Sequence, residues 1–222
     1  MEGVSHVHKS TPPSLDGSAR ITRGYPAITA TVVNTRIPAI TYANWFSYEL
    51  DFVSENHEIH RAFERTRATF PSQRIRFVGD AGLDDRKVFG WVNACKAQFV
   101  IRARHLNRRV EVYNPYADRW EAESLGDLVD TIPYEAAFQV AFTHAGTTKL
   151  ARVQLGWLLL RLPDSHQKIW MLVAERDSRE KPLVLLTNVP LNDVAPVRRV
   201  YSDWRLRTRI EHGYRFHQEQ GL

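Results

Sequence analysis

Residues 74–80 have the sequence Arg74-Ile75-Arg76-Phe77-Val78-Gly79-Asp80, an apolar stretch that ends in a glycine and an acid. The β-branched and aromatic side chains at its centre predict a strand. A helix is predicted next, from Asp84 or Asp85 to about Ala97, and residues 98–104 predict the following strand. Strands that alternate with helices are typical of α/β sheets with parallel pairs, in which active-site groups collect at the carboxyl ends of strands. The stretch therefore predicts an α/β fold and makes Asp80 a candidate functional residue.

The residues before this stretch predict a hairpin and a helix. Residues 27–33 and 39–48 are rich in β-branched and aromatic side chains, and the short link between them favours a hairpin. Ser54 is a typical N-cap for a helix that continues to about Phe70. Residues 1–24 are polar and contain clusters of proline, glycine and serine, so we predict a loop or an unpaired leader there.

The residues after it change in character at about Asn107. Short segments of strand-forming residues are separated by Gly, Pro, Asn and Asp, which predicts strands at 109–113, 136–143, 149–160, 169–174 and 182–187, with a helical turn at 124–129. We therefore expect a β-rich insertion at about residues 105–188, either all-β or an extension of the sheet that returns to the core. The last segment, 194–222, has a helical pattern with many Arg and His residues.

The composition limits the classes of protein to consider. The 222 residues suffice for one large domain or two small ones, and 30 basic against 25 acidic residues give a net charge of +5. This charge favours a polyanionic partner without establishing one. The single cysteine, Cys95, excludes an intramolecular disulfide and fits a reducing compartment. Without a signal peptide or an apolar run that could span a bilayer, we expect a soluble, cytoplasmic protein with no membrane partner.

Few residues have a spacing that suggests chemistry. There is no phosphate-binding glycine loop, no dinucleotide fingerprint, no zinc-type Cys/His set and no nucleophile elbow. Asp80 has two interpretations of about equal weight, an active-site acid or an acid that starts a turn. Arg207 and Glu211 are four residues apart and so share a helix face, which by itself is most simply a surface ion pair. The carboxylates are the candidates with a coherent mechanism.

Two motifs give these acids a context. The order Asp80-Ala81-Gly82-Leu83-Asp84 resembles the strand with the second catalytic Asp in insertion-sequence transposases of the DDE type, whose catalytic domain is RNase H-like. These transposases also carry a helix with Tyr, two residues, Arg, three residues, Glu, six residues and Lys. The same frame here contains Trp204, Arg207, Glu211 and Gln218. The Arg and the Glu match, whereas Trp replaces Tyr and Gln replaces Lys.

The resemblance covers roughly residues 25–222 and implies a partial RNase H-like catalytic domain. Its mixed sheet would have flanking helices and the β-rich insertion before the last catalytic helix. The implied function is DNA transposition, by metal-dependent cleavage and strand transfer at insertion-sequence ends. Asp80 and Glu211 would be catalytic and would bind two Mg²⁺ or Mn²⁺ ions. The partners would be transposon-end and target DNA in the bacterial cytoplasm, and the intact protein would be a homodimer. The implied DNA contacts are Trp204, Arg207, Gln218, Arg102 and Arg104.

One expected element has no counterpart in this sequence. The first catalytic Asp should lie on a strand that precedes the hairpin at residues 27–48. Glu2 and Asp16 lie in the polar leader, and Glu49 and Asp51 come after the hairpin. We therefore expect a chain truncated before its first residue and after its last, with incomplete activity. One alternative is an inactive transposase remnant that retains non-specific DNA binding. Another is an unrelated α/β binding protein whose acids are structural, in which case no Mg²⁺ or Mn²⁺ dependence is expected.

Overall fold

The structure, a computed structural model, describes residues 8–10, 22–24, 27–35, 39–46, 53–144, 147–176 and 181–210. The chain divides into two compact units, Met1–Gln73 and Arg74–Leu222. Among the described residues no helix has both the length and the hydropathy needed to cross a lipid bilayer.

The first unit contains four strands and a helix among its described residues. Strands β1 (His8–Ser10) and β2 (Thr22–Gly24) pair antiparallel, although the sequence predicts no strand there. Strands β3 (Ala27–Val32) and β4 (Ala39–Trp45) form the predicted hairpin. Helix α1 (Glu55–Thr69) begins as predicted after Ser54, whose hydroxyl accepts a hydrogen bond from the His57 N–H at 3.1 Å.

Glu58 anchors α1 to this hairpin. Its side chain is buried, with a residue exposure of 6%, and it accepts hydrogen bonds from the Tyr42 hydroxyl at 2.9 Å and the Asn44 amide at 2.6 Å. Arg61, one turn later in α1, forms an ion pair with it at 3.2 Å. Burial alone would raise the pKa of Glu58, but these hydrogen bonds and the charge of Arg61 outweigh it and hold the pKa below its ordinary value.

The second unit is built on one mixed sheet. Its strand order is β5-β6-β12-β11-β10-β7-β8, and β9 pairs with β10 on the edge that β10 also presents to β7. The elements are β5 (Arg76–Gly79), α2 (Arg86–Ala94), β6 (Gln98–Arg102), β7 (Arg109–Asn114), β8 (Arg119–Ser124), α3 (Leu125–Thr131), β9 (Ala136–His144), β10 (Thr147–Arg161), β11 (Lys168–Arg176), β12 (Leu183–Thr187) and α4 (Val194–Arg205).

The arrangement of strands confirms the α/β class and the mixed sheet. Strands β5 and β6 are parallel, joined through α2, and every other pair of described strands is antiparallel. Strand β12 pairs with β6, with Leu185 opposite Arg102. The β-rich segment is therefore an extension of the sheet that returns to the core. It is not all-β, because α3 forms where the sequence indicated only a helical turn.

Helices cover both faces of the sheet around β6. On one face Val197, Val200 and Tyr201 of α4 pack in a buried cluster with Val100 of β6. The neighbouring residue, Phe99, stacks on Phe89 of α2 with ring centroids 4.7 Å apart. Because successive side chains of a strand point to opposite faces, α2 and α4 lie on opposite sides. The core therefore has a layer of apolar side chains on each side of β6.

Candidate functional site

Asp80 lies at the carboxyl end of β5, directly after Gly79. It is exposed and its backbone is extended. One carboxylate oxygen, Oδ1, accepts a hydrogen bond from the Gly82 N–H at 2.9 Å and so caps a short 3₁₀ helix, Ala81–Leu83. The other oxygen accepts no hydrogen bond from the residues that the structure describes. Asp80 thus has the turn-forming role that its sequence context allows, and it still presents an oxygen to a ligand.

Gly79 sets the path of the chain into this turn. A Cβ atom at Gly79 would lie 2.5 Å from Cδ1 of Leu83, which is closer than two carbon atoms can approach. The absence of a side chain lets the 3₁₀ helix fold back against the end of β5. A side chain at position 79 would therefore require the Leu83 side chain to move.

Asp84, at the end of this turn, is a buried clamp, with a residue exposure of 4%. Its Oδ2 accepts hydrogen bonds from the backbone N–H groups of Arg104 and His105, at 2.7 and 3.1 Å. Its Oδ1 forms an ion pair with the Arg108 guanidinium at 2.6 Å, and Arg108 lies over the Phe89 ring. Asp84 therefore joins the loop after β5 to the loop after β6. The sequence predicted Asp84 to be the last residue of the motif that begins at Asp80, or the first residue of a helix. It did not indicate Arg108 as the partner of Asp84.

Arg102 and Arg104 lie at the same end of the sheet as Asp80. Gly79 is opposite Ile101 in the parallel pair of β5 and β6, so Arg102 comes level with Asp80 on the adjacent strand. Both Arg102 and Arg104 are exposed. The bond from the Arg104 N–H to Asp84 fixes the backbone there. Asp80, Arg102 and Arg104 thus lie at one end of the sheet, on adjacent strands and the loop after β6.

Trp204 lies in the last turn of α4, and Arg207 lies in the turn that follows the helix. Trp204 packs against the buried cluster, and its indole N–H is buried with no acceptor among the described residues. The Arg207 guanidinium lies over the Trp204 ring, 5.7 Å from its centroid. Asp203 forms an ion pair with Arg76, the first residue of β5. The last turn of α4 is therefore attached to the strand that leads into Asp80.

The prediction of one continuous helix from residue 194 is wrong at residues 206–207. Helix α4 ends at Arg205, a turn follows, and residues 208–210 are helical again. The N–H groups of Leu206, Arg207, Arg209 and Ile210 bond to carbonyls three residues earlier, which tightens the chain. Glu211 and Gln218 lie outside the described residues. The predicted approach of Glu211 to Asp80 stays a prediction.

Two further observations bear on the site. Within the described parts of the chain, no group of three or more His, Cys, Asp or Glu side chains is arranged to hold a metal ion. A cavity of about 420 Å³ lies between the β7–β8 hairpin and α3, lined by Tyr113, Tyr116, Glu121 and Asp127 among others. Its lining includes none of the predicted catalytic or DNA-binding residues.

Comparison with known proteins adds no assignment. The sequence matches no protein-family model, and no curated protein is significantly similar to it.

Proposed function

We propose that this chain is part of the catalytic core of an insertion-sequence transposase of the DDE type, with an RNase H-like fold. The observation that carries the proposal is the position of Asp80. It is an exposed carboxylate at the carboxyl end of β5, the place where open α/β sheets collect their active-site groups. The motif Asp80-Ala81-Gly82-Leu83-Asp84 supports the same conclusion. The fold class and the order of motifs along the chain agree with it.

The residues at this position suit a divalent cation. Mg²⁺ and Mn²⁺ prefer oxygen ligands, and Asp80 keeps one carboxylate oxygen that takes no bond from the described residues. Asp80 and Glu211 would hold the metal. Two divalent ions about 4 Å apart can activate the oxygen that attacks a phosphodiester and stabilise the oxygen that leaves.

The basic residues near Asp80 and after α4 would bind the phosphates of the DNA. Arg102 and Arg104 are exposed beside Asp80, and arginine binds phosphate oxygens through two parallel hydrogen bonds. Arg207 lies four residues before Glu211. These side chains would contact phosphates on either side of the scissile bond and so position it against the acids.

The test is metal binding by the whole chain, measured by isothermal titration with Mn²⁺. Asp80→Asn keeps the acceptor that caps the Gly82 N–H but loses the charge, so the turn should persist while Mn²⁺ affinity falls about 10-fold or more. Glu211→Gln should weaken Mn²⁺ binding as well. Asp130→Asn removes an equivalent exposed charge from α3 and should have no effect. Equal affinities for wild type and Asp80→Asn would refute the proposal.

DNA cleavage separates an active core from the inactive remnant, the second candidate from the sequence. Supercoiled plasmid is incubated with the chain and Mn²⁺, and nicked product is measured. Cleavage that Asp80→Asn abolishes supports an active core. Mn²⁺ binding through Asp80 with no nicking supports the remnant, in which the metal site persists without chemistry.

A further inference from the structure

The side of α4 that faces β9 carries two arginines around a tyrosine. Arg198, Tyr201 and Arg205 are three and four residues apart, so they share one face of the helix. The Tyr201 ring meets Phe138 edge to face at 5.8 Å, and the Arg198 guanidinium lies over the same Phe138 ring at 5.0 Å. Arg205 donates a hydrogen bond to the Ala141 carbonyl. Both guanidinium groups are thus held in place by neighbours that carry no charge.

A third arginine, at the end of a strand, lies near the side of α4 that faces β9. Arg176, the last residue of β11, lies over the Phe142 ring at 4.6 Å. Burial raises the pKa of the Tyr201 hydroxyl, and the positive charges of Arg205 and Arg176 act in the opposite direction, so both guanidinium groups are near it. We call Arg176, Arg198 and Arg205 the arginine face.

Two members of the arginine face have charges that no carboxylate of the described residues neutralises. Six other arginines of the described residues are paired with carboxylates: Arg61, Arg76, Arg86, Arg108, Arg119 and Arg161. Arg198 and Arg205 form no ion pair with a carboxylate in the described part of the chain. A guanidinium stays protonated at all ordinary pH values. Arg198 is exposed and Arg205 is half-buried, so both charges can meet an anion.

The spacing of the two charges indicates a polymer. Arg198 and Arg205 are seven residues apart on α4, which corresponds to about 10 Å along the helix axis. A single phosphate cannot bridge this distance, whereas successive phosphates of a nucleic acid strand rise about 3.4 Å per step and can meet both. The Phe138 ring beneath the Arg198 guanidinium and the Ala141 carbonyl bonded to Arg205 already order these two side chains, which reduces the entropy lost on binding.

We propose that the arginine face binds the phosphate backbone of double-stranded DNA, apart from the contacts around Asp80. The proposal deepens the proposed function and rests on it for the identity of the polyanion as DNA. The geometry of the arginines is independent of that assignment. The surface would hold the duplex without regard to sequence and would add to the contacts from Arg102, Arg104 and Arg207.

The experiment measures binding of the whole chain to a random-sequence DNA duplex by fluorescence anisotropy over a range of NaCl concentrations. The test variant is Arg198→Gln with Arg205→Gln. The matched control is Arg109→Gln with Lys168→Gln, which removes two exposed charges elsewhere, Lys168 being at the opposite end of β11 from Arg176. We expect the slope of log affinity against log salt to fall by about two for the test variant, one for each lost phosphate contact, and little for the control.

Further arms make the outcome decisive. Arg198→Lys with Arg205→Lys keeps both charges and should retain most of the salt slope, which would show that charge at these positions carries the binding. Equal losses in the test and control variants would overturn the proposal, since net charge alone would then explain them. Weakened binding to phosphatidylserine vesicles with unchanged DNA binding would also overturn it. Unchanged Mn²⁺ affinity in Asp80→Asn would refute the proposed function and leave DNA binding by the arginine face to be judged on these data.

Discussion

Asp84 and Arg108 lie where the loop after β5 meets the loop after β6. The Arg108 side chain is 12% exposed and that of Asp84 is fully buried, so both charges are largely removed from water. A buried ion pair of this kind is stable only while both partners are present, because the partner left behind keeps its desolvation penalty. Asp84 also orders the backbone at Arg104 and His105. Its removal should therefore affect stability and the local geometry near Asp80.

Asp84→Asn tests this clamp. The amide keeps one oxygen for the backbone N–H groups but leaves the Arg108 charge uncompensated, so we expect the free energy of unfolding to fall by about 3 kcal/mol. Urea denaturation at pH 7 measures it. Arg86→Gln is the control, because the Arg86–Asp164 pair is solvent-exposed and should contribute little. A loss no larger than that of the control would show that the clamp does not stabilise the fold.

Glu58 should make the first unit sensitive to acid. Its folded pKa is held below the ordinary value, so between the two values the unfolded chain binds more protons than the folded one. Stability is then fully present above the unfolded pKa, about 4.5, and is lost as the pH falls through the folded pKa. Hydrogen exchange of α1 amides between pH 6 and pH 3 should show protection decreasing in that window.

The control for this prediction is Glu58→Gln. It should lower the protection of α1 at pH 6, because the charge that binds Arg61 is gone, and it should remove most of the change below pH 4.5. The same pH dependence in wild type and variant would assign the effect to another group.

At the residue scale the sequence indicated one part of the site and missed another. Asp80 could be recognised because only the local sequence is needed to see that an acid follows an apolar strand. The Asp84–Arg108 pair depends on where the loop after β6 returns, which no local pattern encodes. The arginine face was missed for the same reason, since Arg176 and Arg198 come together only when β9 and α4 pack.

Among the elements, those with a regular pattern were predicted well. The helix capped by Ser54 and the apolar strand β12 (Leu183–Thr187) are where the sequence placed them. Strand β8 was missed because Glu121, Ala122 and Glu123 occupy half of its six positions, and Glu and Ala are depleted in strands. The sequence also extended the last helix past Arg205, since the tightened turn keeps nearly helical spacing.

Two glycines give a matched test of packing at this scale. A Cβ at Gly156 in β10 would lie 2.5 Å from the Pro133 carbonyl oxygen, whereas one at Gly90 in α2 would meet nothing within 4 Å. We expect Gly156→Ala to lower the unfolding free energy by about 1–3 kcal/mol, because backbone must move. Gly90→Ala should raise it by about 0.5–1 kcal/mol, since alanine restricts the unfolded chain. Urea denaturation of both variants decides it, and a neutral Gly156→Ala would contradict the packing argument.

In the molecule as a whole, the sequence predicted the class and not the connectivity. Alternating strands and helices near Asp80 were sufficient for an α/β assignment, and the turn residues after Asn107 were sufficient for a β-rich segment. That β12 is the strand beside β6 could not be predicted, because β-strand propensity does not specify a partner. The number and order of strands in a sheet follow from pairing over the whole chain.

The pairing of β12 with β6 has a consequence for how the chain acquires its structure in time. The Thr187 hydroxyl bonds to the Phe99 carbonyl, 88 residues away along the chain. Strands β9 to β12, in contrast, pair with neighbours in sequence, so their hairpins can close within microseconds. Pairing β12 with β6 closes a much longer loop, which costs more entropy, so this pairing must follow the hairpins. The segment that carries Asp80 and the arginines beside it is therefore expected to reach its final geometry late, after most of the sheet has already formed.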